Sequence, residues 1–207
     1  MSGQIRLLLS DVDGTLINPD KELTAASIRA VHELRDAGIT FAITSARPPR
    51  GLIRFVEPLA LTTPLGAFNG GAIVNGDLTV IEERSIDEEI VGVSDDADAS
   101  AAAWSATNER FTSRVSATRS QTYYLDVTNP DANKGGVVDY LAKRYDIAPQ
   151  EIATIGDMHN DVAMFQASGF SVAMGNADSA VQRAAHVVTT TNAEEGFARA
   201  VADFILS

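Results

Sequence analysis

The 207-residue sequence predicts an α/β fold, a doubly wound, Rossmann-like parallel sheet with a small α+β cap inserted into it. Three observations carry this. Short apolar runs of strand character alternate with helical stretches in both outer parts of the chain, the pattern of a parallel sheet covered by crossover helices. The alternation breaks once, between about residues 81 and 128, where acidic and then Ala-rich sequence gives way to β-like alternation. Several of the predicted strands end abruptly in polar, carboxylate-bearing sequence.

In chain order, "IRLLL" (5–9) reads as a short buried strand. A helix follows from Thr24, a good N-cap, to Gly38, a good C-cap, with Ile28, Ala30, Val31 and Leu34 forming its apolar stripe. "ITFAIT" (39–44) is the second strand, and Pro48 and Pro49 suit the start of a helix that runs to about Pro58. "PLGAFNGGAIVNGD" reads as a strand, a Gly-rich turn and a hairpin ending at Gly76-Asp77. Regular alternation resumes after Asn133 with "KGGVVDYLAKRYDI" (helix), "IATIGD" (strand), "NDVAMFQASG" (helix) and "FSVAM" (strand). "ADSAVQRAA" (helix), "HVVTT" (strand) and "AEEGFARAVADFIL" (helix) complete it. The division predicted is a core of residues 1–80 and 129–207, with a cap over 81–128.

Composition narrows the function. Twenty-eight acidic residues against 16 basic ones give a net charge of −12, which disfavours nucleic acid as a partner because phosphate contacts need clustered Lys and Arg. The absence of cysteine excludes disulfides and thiolate metal sites. The N-terminal stretch does not read as a secretory leader, and the apolar runs are too short to span a bilayer. A cytoplasmic location without membrane contact is the expectation.

The polar strand ends hold the chemistry. In open parallel sheets, ligands bind at the carboxyl ends of the strands. The first strand ends in Asp11-Val12-Asp13-Gly14-Thr15, the second in Thr44-Ser45-Ala46-Arg47, and "IATI" in Gly156-Asp157, with Asn160 and Asp161 close behind. Lys134 opens the helix preceding that last strand. Three or four carboxylates on one rim repel one another unless a cation lies among them, and hard oxygen ligands without paired His or Cys favour Mg²⁺. A hydroxyl at Ser45 and a cation at Lys134 suit a phosphate dianion. Together these groups can run phosphoryl transfer through an aspartyl phosphate.

Rival patterns fit less well. A calcium loop starting at Asp11 would put Thr15 and Leu16 where it needs a ligand and a glycine, and one starting at Asp157 puts Val162 at the glycine position. His32, His159 and His186 show no metal-ligand spacing, and neither a Walker loop nor a GxGxxG fingerprint is present.

"DVDGT", "TSARP", "NKGG" and "GDMHNDVAMF", in this order, resemble the four motifs of the haloacid dehalogenase-like hydrolase superfamily, and "AFNGG" and "VAMGNA" are similar to its Cof-type branch. The resemblance covers roughly residues 1–80 and 129–207. It implies a Mg²⁺-dependent phosphatase acting on a small phosphorylated metabolite, most simply a sugar phosphate. It further implies that Asp11 is the nucleophile and a metal ligand, and that Asp13 is the general acid/base whose backbone carbonyl touches the metal. Ser45, beside Thr44, and Asn160 would contact the phosphoryl group. Lys134 would neutralise charge, and Asp157 would be the second carboxylate on the metal. Asp161 would orient Lys134 or reach the metal through water, and Arg47 and Asn69 are candidates for substrate contact. The insert departs from the branch in being about half the usual length, as if the earlier half of the cap were missing after about Arg84. A phosphohexomutase shares the first half-reaction, and a phospho-receiver domain or a weakly active binding protein would share parts of the site.

Overall fold

Leu7, Leu8 and Leu9 are wholly buried because β1 (Leu7–Ser10) lies between two neighbours and is covered on both faces. Alternation along the strand sends Leu8 into one core layer and Leu7 and Leu9 into the other. The computed structural model describes residues 4–84, 97–111, 115–121, 124–129 and 132–207.

Helix α1 (Ala25–Asp36) starts at Thr24, whose Oγ1 accepts the N–H of Ser27 at 3.1 Å. Gly38, at φ 77°, ends it and turns the chain into β2 (Thr40–Ile43), which lies parallel to β1. Pro49 opens α2 (Pro49–Val56), which buries Leu52 and Phe55. β3 (Leu65–Ala67), β4 (Ala72–Val74) and β5 (Val80–Glu83) form an antiparallel sheet of three, anchored to the core by a bridge between Thr44 and Gly66. Next come α3 (Ala97–Phe111) and an antiparallel pair, β6 (Ser116–Gln121) and β7 (Tyr124–Thr128). Of the cap expected over 81–128, residues 81–83 belong to β5, while 85–96, 112–114 and 122–123 lie outside the described residues.

Helix α4 (Lys134–Tyr145) is capped by Asn133, whose Oδ1 accepts the N–H of Gly136 at 3.1 Å. β8 (Ile152–Gly156), α5 (Val162–Ala167), β9 (Phe170–Ala173), α6 (Ser179–Ala184) and β10 (Val187–Val188) follow. The chain closes with α7 (Gly196–Ala200), which widens into a π-helical turn over Val201–Ile205.

The main sheet has the order β10-β9-β8-β1-β2 and is parallel throughout. On one face α1, α2 and α7 bury Val31, Leu34, Leu52, Phe55 and Phe197. On the other, α4, α5 and α6 bury Val137, Leu141, Met164, Phe165 and Val181. The fold is therefore the doubly wound α/β architecture predicted, and each buried leucine of β1 contributes roughly 1.5–3 kcal/mol. Sequential crossovers bring the carboxyl ends of β1, β2 and β8 to one edge. No helix among the described residues is long and apolar enough to cross a membrane.

Candidate active site

At that edge β1 runs straight into Asp11, which is 4% exposed, and β8 into Asp157, which is 7% exposed. Asp161, fully buried, follows from a short 3-10 turn (His159–Asp161). One oxygen from each of these three carboxylates lies within 4.8 Å of the others.

Lys134, the first residue of α4, reaches into this cluster. Its Nζ donates to Asp11 Oδ1 at 2.6 Å and to Asp161 Oδ1 at 2.5 Å. The other oxygen of Asp161 accepts the backbone N–H groups of Asp157 and Met158 at 2.8 and 2.9 Å. Asp161 thus contacts both the lysine and its own loop.

Three carboxylates and one ammonium leave an excess of two negative charges in a buried site. Burial pushes the Asp11 carboxyl well above its ordinary range; Lys134 opposes this, while Asp161 and Asp157 add to it. Burial, then the charge of Asp161, raises Asp157 to about 7, against the hydrogen bond from Thr15 and the charge of Lys134. Burial alone would lower Lys134, but the charges of Asp11 and Asp161 and their hydrogen bonds raise it, so it stays protonated. A divalent cation matches the charge deficit, and an all-oxygen donor set suits Mg²⁺ or a similarly hard ion.

Two side chains absent from the sequence-based candidates hold Asp157 in place. Thr15 Oγ1 donates to its Oδ1 at 2.9 Å. Asn176 Nδ2 donates to its Oδ2 at 3.3 Å and to the Gly14 carbonyl at 2.9 Å. Asn176 is itself oriented by the N–H of Asn192 on its Oδ1 at 2.9 Å. Asn176 lies in "VAMGNA" just beyond β9, and that position at a strand's carboxyl end was the available signal. Gly14, at φ 86°, admits the close approach: a Cβ there would stand 2.2 Å from Asp157 Oδ2.

Asp13 stands apart from the three-carboxylate cluster. Its half-buried carboxylate accepts Arg47 Nε at 2.6 Å, Arg47 Nη2 at 2.8 Å and Lys21 Nζ at 3.1 Å. Burial pushes this carboxyl up, but the hydrogen bonds from Arg47 and Lys21, with their charges, outweigh it and hold it below its ordinary range. Ser45, buried, accepts the N–H of Arg47 on its Oγ at 3.2 Å, which leaves its own proton free to donate. Thr44 Oγ1 has no hydrogen-bond partner among the described residues and is turned toward Gly66. Asn69, in the left-handed region at φ 57°, accepts Asn160 Nδ2 on its Oδ1 at 2.9 Å, and its own N–H donates to the Ser45 carbonyl. His159 lies on the surface, where its Nε2 pairs with Asp178 at 2.7 Å.

The arrangement offers a buried carboxylate beside a buried ammonium (Asp11 and Lys134), a metal-suited carboxylate pair (Asp11 and Asp157) and a separate, half-buried carboxylate gripped by two cations (Asp13). The family model described as haloacid dehalogenase-like hydrolase matches residues 8–97 and 89–201. A Bacillus subtilis 5-amino-6-(5-phospho-D-ribitylamino)uracil phosphatase is 23% identical over 240 aligned positions, covering 98% of this chain and 96% of the relative. A phosphoglycolate phosphatase of Methanothermobacter thermautotrophicus is 24% identical and covers 97% of this chain and 99% of its own length. A haloacid dehalogenase-like hydrolase from Bacteroides thetaiotaomicron has the same fold, with a TM-score of 0.86 at 22% identity over 96% of this chain and 99% of that one. With that family model matched over most of its length, the chain belongs to the haloacid dehalogenase-like hydrolases.

Proposed function

We propose that this chain hydrolyses a small phosphomonoester of the sugar-phosphate kind, with Mg²⁺, through a phosphorylated Asp11. It is a phosphoric monoester hydrolase of its family. The single observation that carries the finer reading is the Lys134 ammonium buried between Asp11 and Asp161, beside Asp157.

In the first half-reaction an oxygen of Asp11 attacks phosphorus and the bond to the ester oxygen breaks. Asp13 takes up a proton as substrate draws Arg47 and Lys21, which otherwise hold its carboxyl below the ordinary range, away from it, and gives that proton to the departing alkoxide. In the second, Asp13 takes a proton from water; the hydroxide displaces Asp11 from phosphorus, and phosphate leaves. Lys134 keeps its charge throughout and offsets the charge on the phosphoryl oxygens, the kind of fixed electrostatic stabilisation that lowers such barriers most. Ser45 donates its free hydroxyl proton to a phosphoryl oxygen. Asn160, Asn69 and Arg47 line the phosphoryl group and leaving group, with Thr44 supporting from the strand end. Asp11 and Asp157, with the Asp13 carbonyl and with Asp161 nearby, would hold Mg²⁺, which would supply Lewis-acid charge neutralisation.

Residues 81–128 form the shortened cap. Two features support this. The family match breaks into two segments that meet at 89–97. The B. subtilis alignment needs 240 positions against the 207 residues of this chain.

The test is phosphate release from a panel of sugar phosphates, phosphoglycolate and p-nitrophenyl phosphate, with and without Mg²⁺, beside Asp11→Asn. Mg²⁺-dependent turnover that vanishes in Asp11→Asn is the expected result. Turnover that survives in Asp11→Asn would remove Asp11 as nucleophile.

A further inference from the structure

The two cations on Asp13 are more than orientation requires. Arg47 alone grips the carboxylate through two donors, Nε on Oδ2 and Nη2 on Oδ1, which fixes its plane. Lys21 adds a second positive charge on Oδ1 from a different segment. It does so at a backbone cost. Lys21 sits in the left-handed region at φ 63°, in a turn closed by its N–H on the Asn18 carbonyl and by Glu22 N–H on Asn18 Oδ1. Glycine or asparagine suits that conformation better than lysine. Arg54 Nη2 braces the turn by donating to the Lys21 carbonyl at 3.2 Å. The Arg47 and Arg54 guanidiniums both lie over the Phe55 ring, at 5.7 and 5.3 Å from its centroid. A strained, braced lysine with half its side chain exposed points to use rather than to packing.

We infer that Lys21 and Arg47 form an anion subsite for the leaving group, so that the substrate is a phosphomonoester carrying a second anionic group close to its ester oxygen. This rests on the phosphatase reading above. If Asp13 protonates the ester oxygen, that oxygen lies a hydrogen bond away from the Asp13 carboxyl. Lys21 Nζ and Arg47 Nη2 stand 3.1 and 2.8 Å from the same carboxyl, which puts both cations within about 6 Å of the ester oxygen. A carboxylate or second phosphate one or two carbons away comes within their reach.

Charge agrees with geometry. In a chain of net charge −12, two cations facing one carboxylate make a local excess of positive charge at the partly exposed side of the site. The deep side needs a cation, whereas this outer side favours an anion. Lys21 keeps two further N–H donors for it, and Arg47 keeps Nη1, only loosely directed at the Gly51 carbonyl at 3.5 Å.

The test uses matched ester pairs in the presence of Mg²⁺. Phosphoglycolate is set against 2-hydroxyethyl phosphate, whose neutral hydroxymethyl group replaces the carboxylate, and glycerol 1,2-bisphosphate against glycerol 1-phosphate. The variant is Lys21→Gly, which suits the φ of 63° and so keeps the turn; its melting temperature verifies that it folds. The expected result is a wild-type preference for the acidic member of at least one pair, with the pair identifying carboxylate or phosphate. In Lys21→Gly the acidic-to-neutral ratio of kcat/KM falls about fivefold, mainly through KM, the size expected for one half-exposed charge pair. A wild-type ratio at or below one in both pairs, or a ratio unchanged in Lys21→Gly, overturns the subsite while leaving the phosphatase intact. Failure to hydrolyse any of the four esters or p-nitrophenyl phosphate overturns the phosphatase reading, and the subsite with it.

Discussion

The Lys134 ammonium stands 2.6 Å from Asp11 Oδ1 although the two side chains are only 1% and 6% exposed. An ion pair this deep is held by mutual need. Neither charge has water to fall back on, and Asp161, also against Lys134 and wholly buried, shares the arrangement.

Removing the lysine should therefore cost more than removing a carboxylate. Lys134→Met leaves three buried carboxylates without their cation, and breaking such a pair costs roughly 3–5 kcal/mol. Asp11→Asn removes one of the excess negative charges and should cost far less. Urea unfolding of the metal-free variants checks the order, and equal losses would contradict it.

The same excess charge makes metal-free stability depend on pH. Asp157 titrates near 7 in the fold against an ordinary 3.8, and burial is the first cause. The folded protein thus binds the proton more tightly than the unfolded chain does. Its contribution is full below 3.8 and is lost as pH rises toward 7. Asp157→Asn lacks this titration, so its stability relative to wild type should improve from pH 5 to about pH 7 and level off by pH 8. Saturating Mg²⁺ should act in the opposite sense, raising the wild-type melting temperature more at pH 8 than at pH 5, because ligation needs ionised carboxylates. Melting curves across that range decide; a constant gap between variant and wild type would remove Asp157 as the titrating group.

Gly14→Ala should disable the site. The added Cβ would stand 2.2 Å from Asp157 Oδ2 on a residue at φ 86°, so either the carboxylate or the nucleophile loop must move. A loss of at least tenfold in kcat is expected, since misplaced catalytic groups are costly. Wild-type kcat in Gly14→Ala would show that this loop has room the structure does not give it.

The parts of this molecule governed by short-range pattern were legible in the sequence. The apolar run into Asp11, the Thr24 cap and the Gly38 stop all depend on neighbours within a few positions. What was not legible depends on long separations or on which way a side chain turns. The grip of Arg47 on Asp13 spans 34 positions and that of Asn176 on Asp157 spans 19. Thr44 and Ser45 are adjacent at a strand end, where successive side chains face opposite sides. Sequence alone could not show that Thr44 turns toward Gly66 while Ser45 caps Arg47. The left-handed Lys21 carried no signal, because Asn18-Pro19-Asp20 already accounts for a turn there.

Asn176 gives the sharpest test of how far the site depends on such distant supports. Its amide joins Asp157 Oδ2 to the Gly14 carbonyl, so one side chain ties the β8 carboxylate to the β1 loop. The amide cannot easily rotate away, because Asn192 N–H holds its oxygen and Asn192 Nδ2 is in turn bound to the Ile17 carbonyl at 2.9 Å. Asn176→Ala keeps every first-line carboxylate but frees Asp157 on one side. Groups that orient metal ligands typically contribute ten- to a hundredfold in metal affinity. The Mg²⁺ concentration for half-maximal stabilisation, read from melting temperature and independent of turnover, should rise by about tenfold. Asn192→Ala, which loosens only the support of Asn176, should shift it in the same direction by less. A Mg²⁺ requirement unchanged in Asn176→Ala would mean that Thr15 alone fixes Asp157 and that the bridge from β9 serves the fold rather than the metal.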